Sequence, residues 1–238
     1  MDDMIDKFIF NIRSRKSGIY INIYNLARKL QNINIPPIRP IYTPLYYTRK
    51  MARHFFRFTI QKVYYEPMFK CMCKKCGNGL KIQIRIPLVS ENLNMYVGNQ
   101  VTIHGKNTFG SPSIFENPVL EIGDNTTVGY QVIINVGKNV KIGEKCLIAD
   151  RVFIADNNAH PINPEKRINM LKVSPDEIRP VTIGNNVWIG YQAFIGPGVH
   201  IGDGSIIGAN SSVVHDVPPM CIAAGSPAKI VREHIDQL

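Results

Sequence analysis

The chain of 238 residues lacks the features that mark membrane-spanning and secreted proteins. It has no apolar run of about 20 residues, the length needed to cross a bilayer as a helix. Its acidic start, Met1-Asp2-Asp3, does not resemble a cleavable signal peptide. We therefore expect a cytoplasmic protein that neither spans the membrane nor is secreted.

Cysteine is scarce and is poorly arranged for a metal site. Of the five cysteines, Cys71, Cys73 and Cys76 form a cluster. A structural zinc site needs four ligands, usually as two spaced pairs, and here the fourth would have to be distant, for example His54. The sequence therefore favours reduced thiols in a capping turn and predicts no metal.

Acidic residues are scarce in the N-terminal third. Residues 1–75 contain 15 Lys or Arg against 4 Asp or Glu, whereas the remainder is close to neutral. This asymmetry suggests an acidic partner for the N-terminal segment, either anionic lipid or nucleic acid. Residues 49–58 interleave basic and aromatic side chains, which suits a helix at a membrane surface or one whose aromatics pack on the following domain. No nucleic-acid recognition motif accompanies the charge, so we expect no nucleic-acid partner.

Prolines between positions 36 and 44 predict a linker over 31–48, because proline breaks a helix. A first helical stretch at about 3–30 and a second at about 47–70 would flank it. We expect a basic helical N-terminal extension over residues 1–75 and a second domain over 76–238.

The second domain carries an aliphatic residue at every sixth position, usually followed by Gly. A period of six belongs to no helix and to no lone strand, and it indicates short strands joined by turns in a coiled stack. Fifteen such repeats predict a mainly β fold, a parallel β-helix. The repeat positions are Val97, Ile103, Phe109, Ile122, Val128, Val136, Ile142, Ile148, Ile154, Ile183, Ile189, Ile195, Ile201, Ile207 and Val213.

Turn residues support this interpretation of the repeat. The Gly after most aliphatic positions fits a tight corner, and the pairs Asp124-Asn125 and Asn185-Asn186 tolerate left-handed backbone geometry. No single coil can bury its apolar face, so the core must form by stacking of coils.

Three motifs in this domain resemble those of the hexapeptide-repeat acyltransferases, in particular the maltose, galactoside and surface-polysaccharide O-acetyltransferases. They are Asn158-Ala159-His160-Pro161 with Arg167, residues 181–190 (VTIGNNVWIG) and residues 223–229 (AAGSPAK). The resemblance covers roughly residues 93–233. It implies a left-handed β-helix with three hexapeptides per coil and hence about five coils here, acetyl-CoA as co-substrate, no metal, and a homotrimer with active sites between subunits. We also expect a short C-terminal helix, of which Lys229 and Arg232 would form an exposed face.

The six-residue register breaks between Ile154 and Ile183, which predicts a long loop over 155–182. A lone loop His can be simple surface, but the unperturbed pKa of histidine, about 6.5, also suits a general base. The resemblance implies that His160 is this base in a direct transfer and that Arg167 belongs to the substrate side. It also implies that the repeat-domain cysteines, Cys146 and Cys221, are not nucleophiles.

The resemblance implies the remaining site residues. Trp188, the only Trp, should point outward between Val187 and Ile189, beside the acceptor or under the loop. Either Gln131 or Asn135 would match the family's substrate-side Asn. The candidates for binding coenzyme A are Gly190, Tyr191, Ala209, Lys229 and Arg232. The backbone amides of Gly190 and Tyr191 would also stabilise the oxyanion that develops during transfer.

We therefore predict an acetyl-CoA-dependent O-acetyltransferase acting on a saccharide hydroxyl, for example of a surface polysaccharide or a lipid-linked sugar. Contact of the basic N-terminus with the inner face of the membrane would suit such a substrate. The alternatives are N-acetylation of a nucleotide amino sugar, acetylation of a streptogramin-type antibiotic, and a non-enzymatic β-helix scaffold. A zinc hydratase of the γ-carbonic-anhydrase type is disfavoured because the six histidines show no close ligand pairing.

Overall fold

A computed structural model of the chain describes residues 2–34, 36–112 and 117–237. The chain divides into two compact units, Met1–Arg53 and His54–Leu238. None of the helices in these described ranges is long and apolar enough to cross a bilayer. The N-terminal helical elements are α1 (Asp2–Arg13), α2 (Gly18–Gln31), α3 (Arg39–Ile60), a π-helical turn (Gln61–Tyr65) and α4 (Glu66–Met72).

In the N-terminal unit, α1 and α2 form a pair held by aromatic contacts. The rings of Phe8 and Tyr20 meet edge to face with their centroids 5.9 Å apart. Between the helices, Arg15 adopts a left-handed backbone with φ of 51°, and its guanidinium carbon lies 4.4 Å from the Tyr24 ring centroid. The expected single stretch at 3–30 is thus two helices separated by a turn.

The predicted linker over 31–48 is wrong in its second half. Helix α3 begins at Arg39, and residue 35 of the linker lies outside the described residues. Pro40 occupies the first turn, where its missing N–H costs nothing because that amide has no helical acceptor. Pro44 lies inside the helix and leaves only one backbone hydrogen bond unmade.

The strands of the second unit stack in parallel into three faces of a β-helix, which we call A, B and C in the order in which the chain visits them. Face A contains β1 (Lys75–Cys76), β4 (Asn94–Val97), β7 (Val119–Ile122), β10 (Asn139–Ile142), β13 (Val181–Ile183) and β16 (His200–Ile201). Face B contains β2 (Lys81–Ile82), β5 (Thr102–Ile103), β8 (Thr127–Val128), β11 (Leu147–Ile148), β14 (Trp188–Ile189), β17 (Ile206–Ile207) and β19 (Ile222–Gly225). Face C contains β3 (Leu88–Val89), β6 (Thr108–Gly110), β9 (Ile133–Asn135), β12 (Phe153–Ala155), β15 (Phe194–Ile195) and β18 (Ser212–Val213).

The predicted β-helix is therefore confirmed, with six coils among the described residues and a seventh begun by β19, rather than about five. Sequence analysis missed the first coil, residues 75–89, because its strands lack the Ile-Gly pattern. It also placed the repeat at Val136, whereas Ile134 is the residue that pairs with Phe109 and Ile154. Val136 is buried as well, and the two extra residues before Ile142 made the two positions hard to separate.

The repeat residues form one continuous core. Phe69 of α4 is completely buried and lies edge to face with Phe109, so α4 closes the first coil. At the corner between faces A and B, Asn125 and Asn186 have φ of 59° and 55°, which confirms the left-handed turns predicted there.

The expected short C-terminal helix is wrong. Residues Ala228–Arg232 form β20, which pairs antiparallel with β19, and only Ile235–Gln237 forms a 3₁₀ turn. A turn around Gly225, whose φ is 102°, reverses the chain and lets β20 continue face B instead of leaving it.

Candidate active site

The long loop leaves the β-helix at the corner between faces C and A, after β12 and before β13. It contains a short helix α5 (Pro164–Ile168) and a 3₁₀ turn (Pro175–Glu177). His160 lies near its start and is exposed. Its backbone N–H donates to the Asn158 carbonyl at 2.7 Å, and Ala159 before it has φ of 62°. The imidazole makes no hydrogen bond with the described part of the chain, so both ring nitrogens can meet a substrate.

A buried carboxylate anchors the start of this loop. Asp156 is completely inaccessible and accepts the backbone N–H groups of Gly137, Lys138 and Asn139 at 2.5, 2.7 and 2.8 Å. These three amides lie at the corner between faces C and A in the preceding coil, between β9 and the start of β10. A buried carboxylate is stable only when hydrogen bonds replace its water, and here the backbone supplies three of them.

The anchor extends from Asp156 toward His160. The Asn157 side-chain amide donates to Asp156 at 2.9 Å, and its oxygen accepts the Ala159 N–H at 2.9 Å. Sequence analysis placed Asp156 in the loop but missed this role. The only available signal was an acidic residue directly after a buried strand.

Arg167, assigned to the substrate side, contacts the loop itself. Its Nη1 donates to the carbonyls of Pro161 and Ile162 at 3.0 and 2.9 Å. The Ile162 N–H donates in turn to Glu177 Oε2 at 3.0 Å. In this chain Arg167 therefore holds the segment just after His160 in place.

Of the coenzyme A candidates, Gly190, Tyr191 and Ala209 form a column at the corner between faces B and C, and Lys229 and Arg232 lie on β20 beyond it. A Cβ added to Gly190 would lie 2.6 Å from the Ala209 nitrogen, so glycine is needed there for coil stacking. The Asn210 N–H donates to the Tyr191 carbonyl at 2.8 Å, which fixes the two turns against each other. On β20, Lys229 is paired with Ala224 at the next level of the column, and Arg232 is paired with Ile222. Lys229 and Arg232 thus lie on an exposed strand rather than on a helix.

The proposed oxyanion donors are not equivalent. The Gly190 N–H donates to the Ile207 carbonyl at 2.8 Å and is therefore used by the sheet. No acceptor among the described residues takes the Tyr191 N–H. Of the two amides, only that of Tyr191 can serve a substrate.

A hydrogen-bonded group that sequence analysis missed connects two predicted site residues at this corner. Arg151 donates from Nη1 to the Tyr191 hydroxyl at 2.8 Å and from Nε to Gln131 Oε1 at 3.2 Å. Its guanidinium carbon also lies 5.8 Å from the Tyr191 ring centroid. Three successive coils thereby present one polar surface, which only the register of the stack reveals.

Trp188 points outward from face B between Leu147 and Ile206, with 51% of its surface exposed. Its neighbours Val187 and Ile189 are buried, which confirms the predicted alternation. Trp188 precedes the Gly190 turn by two residues and so lies beside the column.

Gln131 and Asn135 lie at opposite ends of β9. Asn135 pairs with Ala155, and its carbonyl accepts the Asp156 N–H at 3.3 Å, so it adjoins the anchored loop. Gln131 lies in the other corner with Arg151. The candidate site therefore consists of two groups, one at each edge of face C.

Cys73 and Cys146 are poorly suited to act as nucleophiles, whereas Cys71 is an exposed thiol. Burial raises the pKa of the Cys146 thiol, and it raises that of Cys73 to about 12. The described residues contain no cluster of His, Cys, Asp or Glu that could hold a metal ion.

A groove runs along face A, lined by Tyr96, Lys141 and His200 among others, but none of the assigned residues lines it.

Comparison with known proteins identifies the family. The family model described as bacterial transferase hexapeptide (six repeats) matches residues 180–215. A galactoside O-acetyltransferase from Escherichia coli (strain K12) is 39% identical over 135 residues, which are 56% of this chain and 64% of that protein. A putative lipopolysaccharide biosynthesis O-acetyl transferase from the same strain is 33% identical over 124 residues, 50% of this chain and 63% of its own length. The chain thus spans slightly less than two thirds of these curated relatives.

A solved structure is similar to a larger part of this chain than these two relatives are. A galactoside acetyltransferase in complex with coenzyme A shares 30% identity, with a TM-score of 0.51, over 77% of this chain and 79% of that one. The predicted family is confirmed: the chain belongs to the hexapeptide-repeat acyltransferases, and its stack is their left-handed parallel β-helix.

Proposed function

We propose that the protein transfers an acetyl group from acetyl-CoA to a saccharide hydroxyl. The observation that carries the proposal is the exposed imidazole of His160 on a loop fixed by the buried carboxylate of Asp156. The relatives named for acetyl transfer to galactosides and in lipopolysaccharide biosynthesis support the choice of reaction and of acceptor class.

In this proposal His160 removes the proton from the acceptor hydroxyl as its oxygen attacks the thioester carbonyl. A carbon–oxygen bond forms and the carbon–sulfur bond breaks, and the proton on His160 passes to the departing sulfur. The Tyr191 N–H stabilises the negative charge that develops on the carbonyl oxygen. No acyl-enzyme forms, in agreement with the buried, weakly acidic thiol of Cys146.

Acetyl-CoA would bind along the column at the corner between faces B and C. Exposed turns at Tyr191 and Ala209 leave room for an extended chain, and Gly190 keeps these two turns in contact. Lys229 and Arg232 lie at the far end, where cations would meet the phosphate groups of coenzyme A. The residues present therefore fit this co-substrate.

The acceptor would lie between the two groups of site residues. Trp188 offers an aromatic face to a sugar ring, and Gln131 and Asn135 offer amides from the two ends of β9. Arg167 would act through the loop it holds rather than by contact with the sugar.

We further infer a homotrimer whose sites lie between neighbouring copies. A single chain places His160 and the column at opposite edges of face C, so a copy that packs against this face can bring both to one substrate. Exposed apolar side chains support such packing on face B (Leu147, Trp188) and on face C (Ile133, Phe153). Contact between two different faces closes into a ring when the rotation allows it.

The test is thiol release from acetyl-CoA with a panel of acceptors: sugars, lipid-linked glycans, nucleotide amino sugars and streptogramins. We expect release that depends on a saccharide hydroxyl and that falls at least about a hundredfold in His160→Ala. The matched control is His200→Ala, an exposed His on face A that we expect to leave turnover unchanged. Equal release by wild type and His160→Ala would contradict the base assignment, and release driven only by amines would replace O- with N-acetylation.

A further inference from the structure

Helices α2 and α3 carry positive charge and no acidic residue, and of the cations in the turn that follows, Lys62 pairs with Glu66 at 2.9 Å. The sequence contains no Asp or Glu between Asp6 and Glu66, and it contains twelve Lys or Arg over the same interval. Helix α3 has no acidic residue in its 22 positions. Its cations therefore have no partner within the helix.

These cations lie along one side of α3. Lys50, Arg53 and Arg57 follow each other at spacings of three and four, which places them on one face of a helix. Arg39 lies eleven residues before Lys50, or about three turns, and so joins the same side. The positive stripe thus covers the second half of the helix, and Arg39 adds one cation at its start.

The opposite side of α3 is apolar and uncovered. Leu45 and Phe55 are 58% and 72% exposed, and Met51 and Phe58 beside them are 72% and 55% exposed. No residue of α3 is buried. A continuous apolar surface of this kind on a helix marks a site of interaction.

The cationic side and the apolar side of α3 together indicate which partner would bind this helix. A second copy of α3 packed on the apolar side would cover Met51 and Phe55 but would leave the cations of both helices on the outside without a partner. Nucleic acid would satisfy the cations but would leave Met51, Phe55 and Phe58 in water. An anionic lipid surface satisfies both sides, because headgroup phosphates meet the cations while the acyl boundary takes the apolar face.

We propose that α3 lies in the headgroup region of an anionic membrane, with Met51, Phe55 and Phe58 inserted and Lys50, Arg53 and Arg57 against lipid phosphates. The long Lys and Arg stems allow the charged ends to remain in the polar layer while the helix lies below it. This inference does not depend on the proposed acetyl transfer, although a membrane position suits a lipid-linked acceptor.

Flotation of the full chain with vesicles tests the proposal. One set of vesicles contains phosphatidylcholine alone and the other also contains phosphatidylglycerol. We expect binding to the anionic set only, with at least about a tenfold loss in Lys50→Glu/Arg53→Glu and a clear loss on raising the salt concentration. The matched control is Lys141→Glu/Lys145→Glu, two exposed cations of the β-helix outside the candidate site, which should bind like wild type.

The apolar side is tested by Met51→Ser/Phe55→Ser, exposed positions at which the change costs no core packing. Reduced binding to anionic vesicles by this variant supports the proposal. It is overturned if wild type binds neither vesicle, if it binds both equally, or if the charge-reversed variant binds like wild type. It is also overturned if the serine variant changes subunit number without lipid, since a second copy would then cover α3. Acetyl transfer to a water-soluble acceptor, measured in the same variants, reports separately on the proposed reaction.

Discussion

The two corners that carry the candidate site are built in different ways. The corner between faces B and C repeats one tight turn in every coil, and backbone hydrogen bonds such as Asn210 N–H to Tyr191 O align the turns. The corner between faces C and A instead releases a loop after β12, and one buried carboxylate, Asp156, fixes where it starts.

We propose that the corner between faces B and C binds the co-substrate and that the loop carries the chemistry. A repeated corner offers a row of equivalent turns, which suits an extended co-substrate but provides no proton acceptor. The loop interrupts the repeat and so can carry His160, a residue that no coil position requires. If this division is correct, changes at one corner should leave the function of the other intact.

The largest effect should come from the loop corner. We expect His160→Ala to lower kcat at least about a hundredfold, because general-base catalysis contributes that much or more. The affinity for coenzyme A, measured by calorimetry, should stay at the wild-type value since His160 lies outside the column. Loss of coenzyme A affinity in this variant would show that the corners do not act separately.

A smaller loss should follow from removing the anchor. Asp156→Ala leaves three backbone amides and the Asn157 side-chain amide without their acceptor. We therefore expect the free energy of unfolding to fall by about 2 kcal/mol and kcat to fall on the order of tenfold. The KM for acetyl-CoA should not change. Asp124→Ala is the matched control, because Asp124 also accepts an amide at a corner, from Asn99, but is not buried. If the two variants lose stability and kcat equally, Asp156 has no special role in the loop.

At the column we expect the KM for acetyl-CoA to change while kcat stays constant. Lys229→Gln/Arg232→Gln should raise the KM for acetyl-CoA by about tenfold, equivalent to 1.4 kcal/mol, with kcat unchanged. Because these cations would meet phosphate, the variant should also lose the preference for coenzyme A over dephospho-coenzyme A, measured by competitive inhibition. A fall in kcat with unchanged KM would place these residues elsewhere in the mechanism.

The smallest effect is predicted for Arg151. Arg151→Gln removes the donor shared by Gln131 and Tyr191, and we expect a few-fold rise in the KM for the acceptor. Arg151→Lys should not restore the wild-type KM for the acceptor, because lysine lacks the planar guanidinium that can donate to two acceptors at once. Steady-state kinetics with varied acceptor would show this, and rescue by lysine would reduce the role of Arg151 to charge alone.

The sequence predicts the repeated parts of the molecule well and the unique parts poorly. The six-residue period identifies the β-helix and its buried positions, because inward positions accept only a narrow set of side chains. The outward position of Trp188 follows from its place between two inward positions. The first coil escapes detection because its face A position is occupied by Cys76 and because Val89 follows Ile82 by seven residues rather than six.

The remaining errors have local causes. Pro40 and Pro44 suggested a linker, but the start of a helix tolerates proline. The C-terminal cations suggested a helix, although a hairpin gives them the same exposure. The role of Asp156 depends on amides 17 to 19 residues away, a distance at which sequence patterns carry no information.

The central claim is that the His160 loop of one copy and the column of its neighbour form one site. Mixed trimers test this claim most directly. His160→Ala lacks the base, and Ala209→Trp fills the column, so each variant alone should be inactive. Co-expressed in equal amounts, they should recover about a quarter of wild-type activity, since in a ring that fraction of interfaces joins an intact loop to an intact column. Absence of recovery from mixed trimers, verified with two different affinity tags, would show that each chain contains its own complete site.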